Sequence, residues 1–200
     1  MSRTTVATLT IGIGLFALAI PRAGWAKHYK VDPDHTSVSF RVRHLFSAVK
    51  GRFDKFDGEI EFDPTKPEAT KVTGSIDVAS INTNVAERDK HLRSKDFFDV
   101  ANFPKITFAS TGVTDLDSTK KAGKMQAKLT IHGVEKPVVL EVSFLGEVKD
   151  PWGNVKAGFA ANTTINRKDF GLTWNQALET GGALVGDDVQ IEIDAEGYAQ

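Results

Sequence analysis

Apolar and polar residues alternate along most of the chain after residue 27, and this alternation is the clearest pattern in the sequence. A period of two places successive side chains on opposite faces of an extended segment, so each such segment is predicted to be a β-strand. One dry face and one wet face are typical of antiparallel sheets. The alternating segments span residues 37–44, 59–62, 72–78, 124–131, 138–144, 157–166 and 189–194.

Turn-forming residues separate the predicted strands. Asp, Asn, Pro and Gly favour turns because they fix φ, tolerate positive φ or bond to their own backbone. They cluster at Asp32-Pro33-Asp34, at Asp63-Pro64, over residues 149–154 and at Gly181-Gly182.

The alternation slips at two places, and each slip predicts a β-bulge. The first lies between Phe53 and Phe56, inside a long strand predicted to span residues 46–63. The second lies around Ser110-Thr111-Gly112. Because bulges bend strands, they favour a sheet that curves and closes.

A single segment is predicted to be helical, from Asn84 to about Lys95. Asn84 with Glu87 three residues later has the pattern of a capping box, and Val85 and Leu92 fall on one side of the helix. The chain is therefore all-β with one short helical insertion.

Eight or nine strands fit either a β-sandwich or an up-and-down barrel. In a sandwich the dry faces pack against each other, whereas an eight-stranded barrel is just wide enough to hold a small ligand. The bulges and the long strand favour the barrel. The 13 Phe against 2 Tyr give its interior large rings without polar groups that need partners.

Residues 1–26 have the layout of a cleaved signal peptide. Arg3 precedes an uncharged apolar run over residues 6–20, and Pro21 and the small residues up to Ala26 follow it. The run is shorter than the ~20 residues that a membrane span needs. We expect cleavage after Ala26, which divides the chain into a leader (1–26) and one exported, periplasmic domain (27–200) without a membrane span.

Charge and composition exclude several kinds of protein. Loss of the leader removes Arg3 and Arg22 and leaves 23 basic side chains against 26 acidic ones, so no nucleic-acid partner is expected. The absence of cysteine excludes disulfides and thiol chemistry. No Gly-x-Ser-x-Gly turn is present, and the five histidines have no metal-binding spacing, so no catalytic residue, metal or cofactor is predicted.

Seven short segments, in order along the mature chain, resemble the successive signatures of the YceI family. Their order is a stronger signal than any one of them alone. They are residues 35–44 (HTSVSFRVRH), 49–53 (VKGRF), 87–94 (ERDKHLRS), 96–99 (DFFD), 103–108 (FPKITF), 129–134 (LTIHGV) and 165–171 (INRKDFG).

The resemblance implies an extended, lipocalin-like barrel of eight antiparallel strands in the periplasm. It implies an elongated apolar cavity that binds a polyisoprenoid lipid, such as an isoprenoid quinone or a polyprenyl pyrophosphate. The expected apolar lining is Phe40, Val42, Phe53, Phe56, Ile76, Phe98, Phe108, Leu129, Ile131, Phe144, Phe159 and Ile165.

Several polar residues occupy the alternate positions that form the dry face of a strand, or belong to the helical insertion. His44 follows the parity of Phe40, while Arg167 and Asp169 follow that of Ile165. Two interpretations stay open, because buried charge is costly unless it is paired. In the first interpretation, Arg167 and Asp169 form a structural pair and His44 is a core histidine. In the second, these residues form a polar mouth for the lipid head group. The expected mouth is His44, Arg88, His91, Arg167 and Asp169.

Three functions remain open from the sequence. The favoured one is a lipid carrier or reservoir, because the chain offers apolar lining and no motif for a nucleophile. The alternatives are an enzyme of isoprenoid or lipid metabolism that uses the same cavity, and a secreted stress protein with a packed core. A homodimer is expected, since an extended barrel often covers exposed edges with a second copy.

Overall fold

Among the described residues, the regular structure consists of eleven strands, one α-helix and three short 3₁₀ helices. The computed structural model describes residues 26–119, 121–177 and 182–200. The elements are β1 (Lys27–Val31), β2 (Ser37–His44), β3 (Ser47–Phe53), β4 (Phe56–Phe62), β5 (Lys71–Asp77), β6 (Ile81–Asn82), α1 (Ala86–Arg93), β7 (Lys105–Asp117), β8 (Ala122–Ile131), β9 (Val134–Lys149), β10 (Val155–Asn166) and β11 (Val185–Ala199).

The strands form one closed antiparallel barrel with eight positions around its wall. From β7 to β11 each strand pairs with the next, and β11 then pairs with both β1 and β2. Three of the eight positions hold two strands each, namely β1 with β2, β3 with β4, and β5 with β6. Both strands of such a position pair with the strands of the next position: β1 pairs with β4 and β2 with β3, while β4 pairs with β5 and β3 with β6. The barrel prediction is confirmed, and the sandwich is excluded by the pairing of β1 with β11.

The predicted long strand over residues 46–63 is wrong, because it is interrupted where the parity slips. At this interruption Asp54 N donates to Ser80 O, and Asp77 N donates to Lys55 O. Residues 54–55, 78–80 and 32–36 interrupt three adjacent wall positions at the same height. The three interruptions divide each of these wall positions into two strands, whereas an isolated bulge would have left each strand continuous.

The second predicted bulge is confirmed. The register of β7 against β8 shifts between Ser110 and Gly112. A further shift, which the alternation did not reveal, lies where β9 pairs with β10 and leaves Leu145 as an extra residue with an exposed side chain.

The helix begins later than predicted and without the predicted capping box. Asn84 has φ +61°, Val85 occupies the N-cap and no side chain caps the first turn. Instead, the carboxylate of Asp89 reaches back from the helix and accepts bonds from Thr83 N and Thr83 Oγ1. Val85 is exposed, whereas Leu92 packs against the core as predicted.

The barrel has two different ends. The helix end carries α1, the β2–β3 turn and a 3₁₀ helix over Arg167–Phe170. The terminal end carries the start of β1, the end of β11 and the β7–β8 and β9–β10 turns. A larger core cluster that includes Val78, Ile81 and Phe170 lies towards the helix end, and a smaller one that includes Tyr29 and Phe62 lies towards the terminal end.

The predicted leader lies outside the described residues except for Ala26, and so does Gly181 of the predicted Gly181-Gly182 turn. Within the ranges described above, no helix has both the length and the apolar character needed to cross a membrane.

Candidate functional site

An apolar cavity of about 950 Å³ runs through the barrel. Side chains from all eleven strands line it, and most of them are aliphatic or aromatic. Large, mostly apolar cavities with a few polar groups are the usual form of small-molecule sites. This cavity is therefore the candidate site.

All twelve residues predicted as apolar lining contribute to the cavity wall. Eleven of them lie in strands, where the pleat sends every second side chain to the same face. Phe98 lies in the turn after α1. The twelve residues are Phe40, Val42, Phe53, Phe56, Ile76, Phe98, Phe108, Leu129, Ile131, Phe144, Phe159 and Ile165.

Three further aromatic rings, Phe62, Phe97 and Trp174, line the cavity and were not among the predicted site residues. Phe62 follows the alternation of β4, so its parity was a signal for it. Phe97 and Trp174 lie in irregular segments, where no period indicates which way a side chain points. Their rings meet at the helix end, with centroids 5.1 Å apart.

At the terminal end, aromatic rings meet across the barrel. The ring centroid of Phe62 lies 4.7 Å from that of Phe144 and 5.5 Å from that of Phe159. Phe144 and Phe159 come from the opposite side of the barrel. Beside them, the Tyr29 hydroxyl donates to Glu147, and Lys27 Nζ lies 2.7 Å from Glu147 Oε1. Burial and the bond to Glu147 raise the pKa of Tyr29. These contacts narrow this end of the cavity.

Four of the five predicted polar residues line the cavity at the helix end: His44, Arg88, His91 and Arg167. Trp174 links two of them, because its ring contacts His91 at 4.8 Å and its carbonyl accepts a bond of 2.9 Å from Arg167 Nη1. The Arg88 guanidinium donates through Nε and Nη2 to Thr83. His91 Nε2 lies 2.9 Å from Asp96 Oδ2.

The predicted position of Asp169 is wrong. The strand period ends at Asn166, whose side chain accepts from Lys168 N and starts a 3₁₀ helix that ends at Gly171 with φ +78°. Asp169 is consequently exposed and does not line the cavity. Asn166 and Gly171, one before and one after the turn, are the sequence signal that would have indicated the change of period.

Arg167 is a structural clamp, and its ionic partner is Asp187, 3.4 Å away, so the predicted pair with Asp169 is wrong. Arg167 is 4% exposed, and its guanidinium donates to the carbonyls of Leu172, Trp174 and Gly186. Burial lowers the pKa of Arg167, and Asp187 opposes that shift. The clamp joins the segment after β10 to the start of β11.

Replacement of Arg167 with alanine is expected to destabilise the fold by about 2 kcal/mol, since hydrogen bonds to charged groups contribute about 1.5–3 kcal/mol. Urea unfolding of the purified variant measures the change. Lys168→Ala is the matched control, because Lys168 is exposed and pairs with the same Asp187. An Arg167→Ala variant as stable as the control would contradict the structural role.

A group of potential metal ligands lies on the outside of the barrel. Single ligand atoms of Asp32, His35 and Glu196 lie within 4.8 Å of one another. However, Lys156 Nζ sits 3.1 Å from Asp32 Oδ2 and 3.2 Å from Glu196 Oε2. The position that a cation would take is therefore filled by an ammonium group, and the cluster is better described as a structural ion-pair network.

Comparison with known proteins agrees with the barrel fold. The family model described as a YceI-like domain matches residues 29–197. The chain belongs to the YceI family. A UPF0312 protein of Vibrio cholerae serotype O1 is 44% identical over 168 residues, which cover 81% of this chain and 87% of the relative.

Solved structures share the YceI barrel. BcnA of Burkholderia cenocepacia superposes with a TM-score of 0.73 at 25% identity and covers 83% of this chain and 98% of its own. A polyisoprenoid-binding domain from Saccharophagus degradans, implicated in plant cell wall breakdown, has a TM-score of 0.59 at 18% identity. That match covers 86% of this chain and 98% of the domain. The second likeness shows the fold alone.

Proposed function

We propose that this YceI protein is an exported, periplasmic carrier or reservoir that holds a polyisoprenoid lipid in its barrel. The observation that carries the proposal is the apolar cavity of about 950 Å³. A well-packed core leaves few voids larger than a water molecule, so a cavity of this size is not a by-product of folding. Its apolar wall suits a flexible hydrocarbon chain.

The volume sets the length of chain that the cavity accommodates. A water-sized group takes about 30 Å³ in a liquid, so the cavity corresponds to about 30 carbon atoms, or about six five-carbon units. The Saccharophagus degradans domain with the same fold is described as polyisoprenoid-binding, which supports this class of ligand. The predicted leader supports export to the periplasm.

A carrier function agrees with the distribution of polar groups. The predicted polar residues that line the cavity lie at one end, and Arg167 and Arg88 are held there by backbone or threonine partners. The rest of the wall is mostly aliphatic and aromatic, with a few polar residues such as Thr73, Ser143 and Lys121. Such a site retains an apolar chain without activating it, which supports carriage over catalysis.

Native purification tests the function. The protein is purified from its host without detergent and extracted with organic solvent, and the extract is identified by mass spectrometry. We expect a polyisoprenoid in about equal amount to the protein. An empty extract from folded protein would contradict the proposal, and a bound lipid that changes chemically during long incubation would favour an enzyme.

We further propose that the helix end holds the lipid head group, with His44, Arg88 and His91 as the polar mouth. Replacement of His44 with alanine is expected to weaken binding of a polyprenyl pyrophosphate about tenfold, because hydrogen bonds to charged groups contribute about 1.5–3 kcal/mol. Binding of a polyprenol of equal length is expected to change little. Fluorescence competition measures both affinities.

His28→Ala is the matched control for the head-group test, since His28 is exposed at the terminal end and lies outside the cavity lining. Equal affinities of wild type and His44→Ala for the pyrophosphate would place the head group elsewhere.

A further inference from the structure

Two large apolar residues, Leu45 and Phe46, form the tip of the β2–β3 turn. The Phe46 side chain is 96% exposed, and Leu45 has φ +48°. Two-residue hairpin turns favour Asn and Gly at positive φ, because a side chain such as that of leucine is strained there. An exposed ring adds nothing to the core, so folding does not explain this choice of residues.

Basic side chains flank the tip. Arg41, Arg43, Lys50 and Arg52 all point outward from β2 and β3, and the sequence contains no acidic residue from position 36 to position 53. Arg52 pairs with Asp54. Within the described part of the chain, Arg41 and Lys50 form no salt bridge. An apolar tip with a basic surround fits a bilayer that contains anionic phospholipids.

The tip is continuous with the helix end of the cavity. His44, which lines the cavity, directly precedes Leu45. Leu45 N donates to the carbonyl of Leu184, a second lining residue, at 3.2 Å, and Arg43 Nε donates to Leu45 O at 2.8 Å. A tip seated in a membrane would therefore bring the polar mouth to the lipid surface.

We infer that the Leu45–Phe46 turn is a docking tip for an anionic lipid bilayer. Phe46 inserts among the lipids while Arg41, Arg43 and Lys50 lie at the phospholipid phosphates. A role of the tip in exchanging the cavity lipid with a membrane rests on the proposed function. Binding to the bilayer itself does not require an isoprenoid.

Co-sedimentation with lipid vesicles tests the tip. The chain is expressed with its own leader and purified in the processed form. Vesicles contain phosphatidylcholine with phosphatidylglycerol, or phosphatidylcholine alone, and no isoprenoid. We expect the wild type to bind the anionic vesicles. The affinity of Phe46→Ser is expected to be about tenfold or more lower, because burial of a Phe side chain among the lipids contributes a factor of at least this size to the affinity.

Charge and position provide further tests. Arg41→Gln with Lys50→Gln is expected to weaken binding to the anionic vesicles several-fold for each residue removed, and added salt weakens the wild type likewise. Trp152→Ser is the matched control, because Trp152 is 84% exposed in the β9–β10 turn at the terminal end. It is expected to bind as wild type does.

Several outcomes would overturn the docking tip. They are absence of wild-type binding to anionic vesicles, unchanged binding of Phe46→Ser, and equal loss in Trp152→Ser. Dimerisation that Phe46→Ser abolishes, without vesicle binding, would assign the tip to a second copy of the chain. Because the vesicles lack isoprenoid, failure here leaves the solvent-extraction test of the carrier function unaffected.

Discussion

Replacement of Ala161 with tryptophan is expected to reduce lipid binding by about tenfold or more while the barrel remains folded. Ala161 lies on the cavity face of β10, between Val142 of β9 and Ile193 of β11, which both line the cavity. An indole there takes the space of several methylene groups. Each methylene excluded from the cavity costs about 0.8 kcal/mol of binding free energy.

The lipid content of the purified variant, measured by solvent extraction and mass spectrometry, checks this prediction. Asn162→Trp is the matched control, since Asn162 is the next residue and its side chain is exposed on the outer face. Circular dichroism confirms that both variants retain the barrel. Wild-type lipid content in a folded Ala161→Trp protein would show that the lipid does not occupy the middle of the cavity.

Replacement of Asp32 with asparagine is expected to destabilise the protein by about 3 kcal/mol. Asp32 is 0% exposed, and its carboxylate lies 2.7 Å from His35 Nδ1 and 3.1 Å from Lys156 Nζ. Loss of one partner of a buried ion pair costs about 3–5 kcal/mol. The lower end of this range applies here, because Lys156 is largely buried whereas His35 is exposed. For a chain of this length the melting temperature should fall by about 6–12 °C.

Urea unfolding measures the loss, and Asp34→Asn is the control. Asp34 is exposed and lies in the same turn. Similar unfolding free energies for Asp32→Asn and Asp34→Asn would show that the network outside the barrel contributes little to stability.

The pH dependence gives an independent check on Asp32. Burial opposes its ionisation, but hydrogen bonds from Tyr198, Lys156 and His35 outweigh burial and hold its pKa well below the usual value. The contribution of Asp32 to stability is therefore complete above about pH 5, since an unfolded aspartate titrates near pH 3.9. It is lost as the pH falls from there towards the folded pKa.

The difference in unfolding free energy between wild type and Asp32→Asn should consequently shrink as the pH falls below about 4. Other carboxyl groups with a lowered pKa, such as those of Asp54 and Glu147, are present in both proteins and cancel in this difference. A difference that stays constant down to pH 3 would contradict the role assigned to the Asp32 carboxylate.

The sequence was most informative where the backbone is regular. Phe108, Leu129 and Ile131 lie in long strands, and their direction follows from the pleat alone. Asp169 shows where this reasoning failed, because a 3₁₀ helix begins at Arg167 and changes the period.

Residues in irregular segments could not be placed from the sequence. Trp174 has no periodic neighbours, yet it joins His91 and Arg167 at the helix end. Asp32 was predicted only as a turn residue, and it does form one, with Asp34 N donating to its Oδ1 at 3.1 Å. Its burial depends on Lys156 and Tyr198, which come from distant strands.

The alternation by itself determined the all-β class and the inward face of the regular strands, because it is a local property of each strand. It favoured a barrel over a sandwich, and the YceI resemblance supplied the expected cavity and its lining. The tertiary structure alone decided which polar groups are buried and where the cavity narrows. Phe62 meets Phe144 across the barrel, and Asp32 meets Lys156 over 124 residues of chain. Contacts of this kind depend on how the barrel closes, and no local period encodes them.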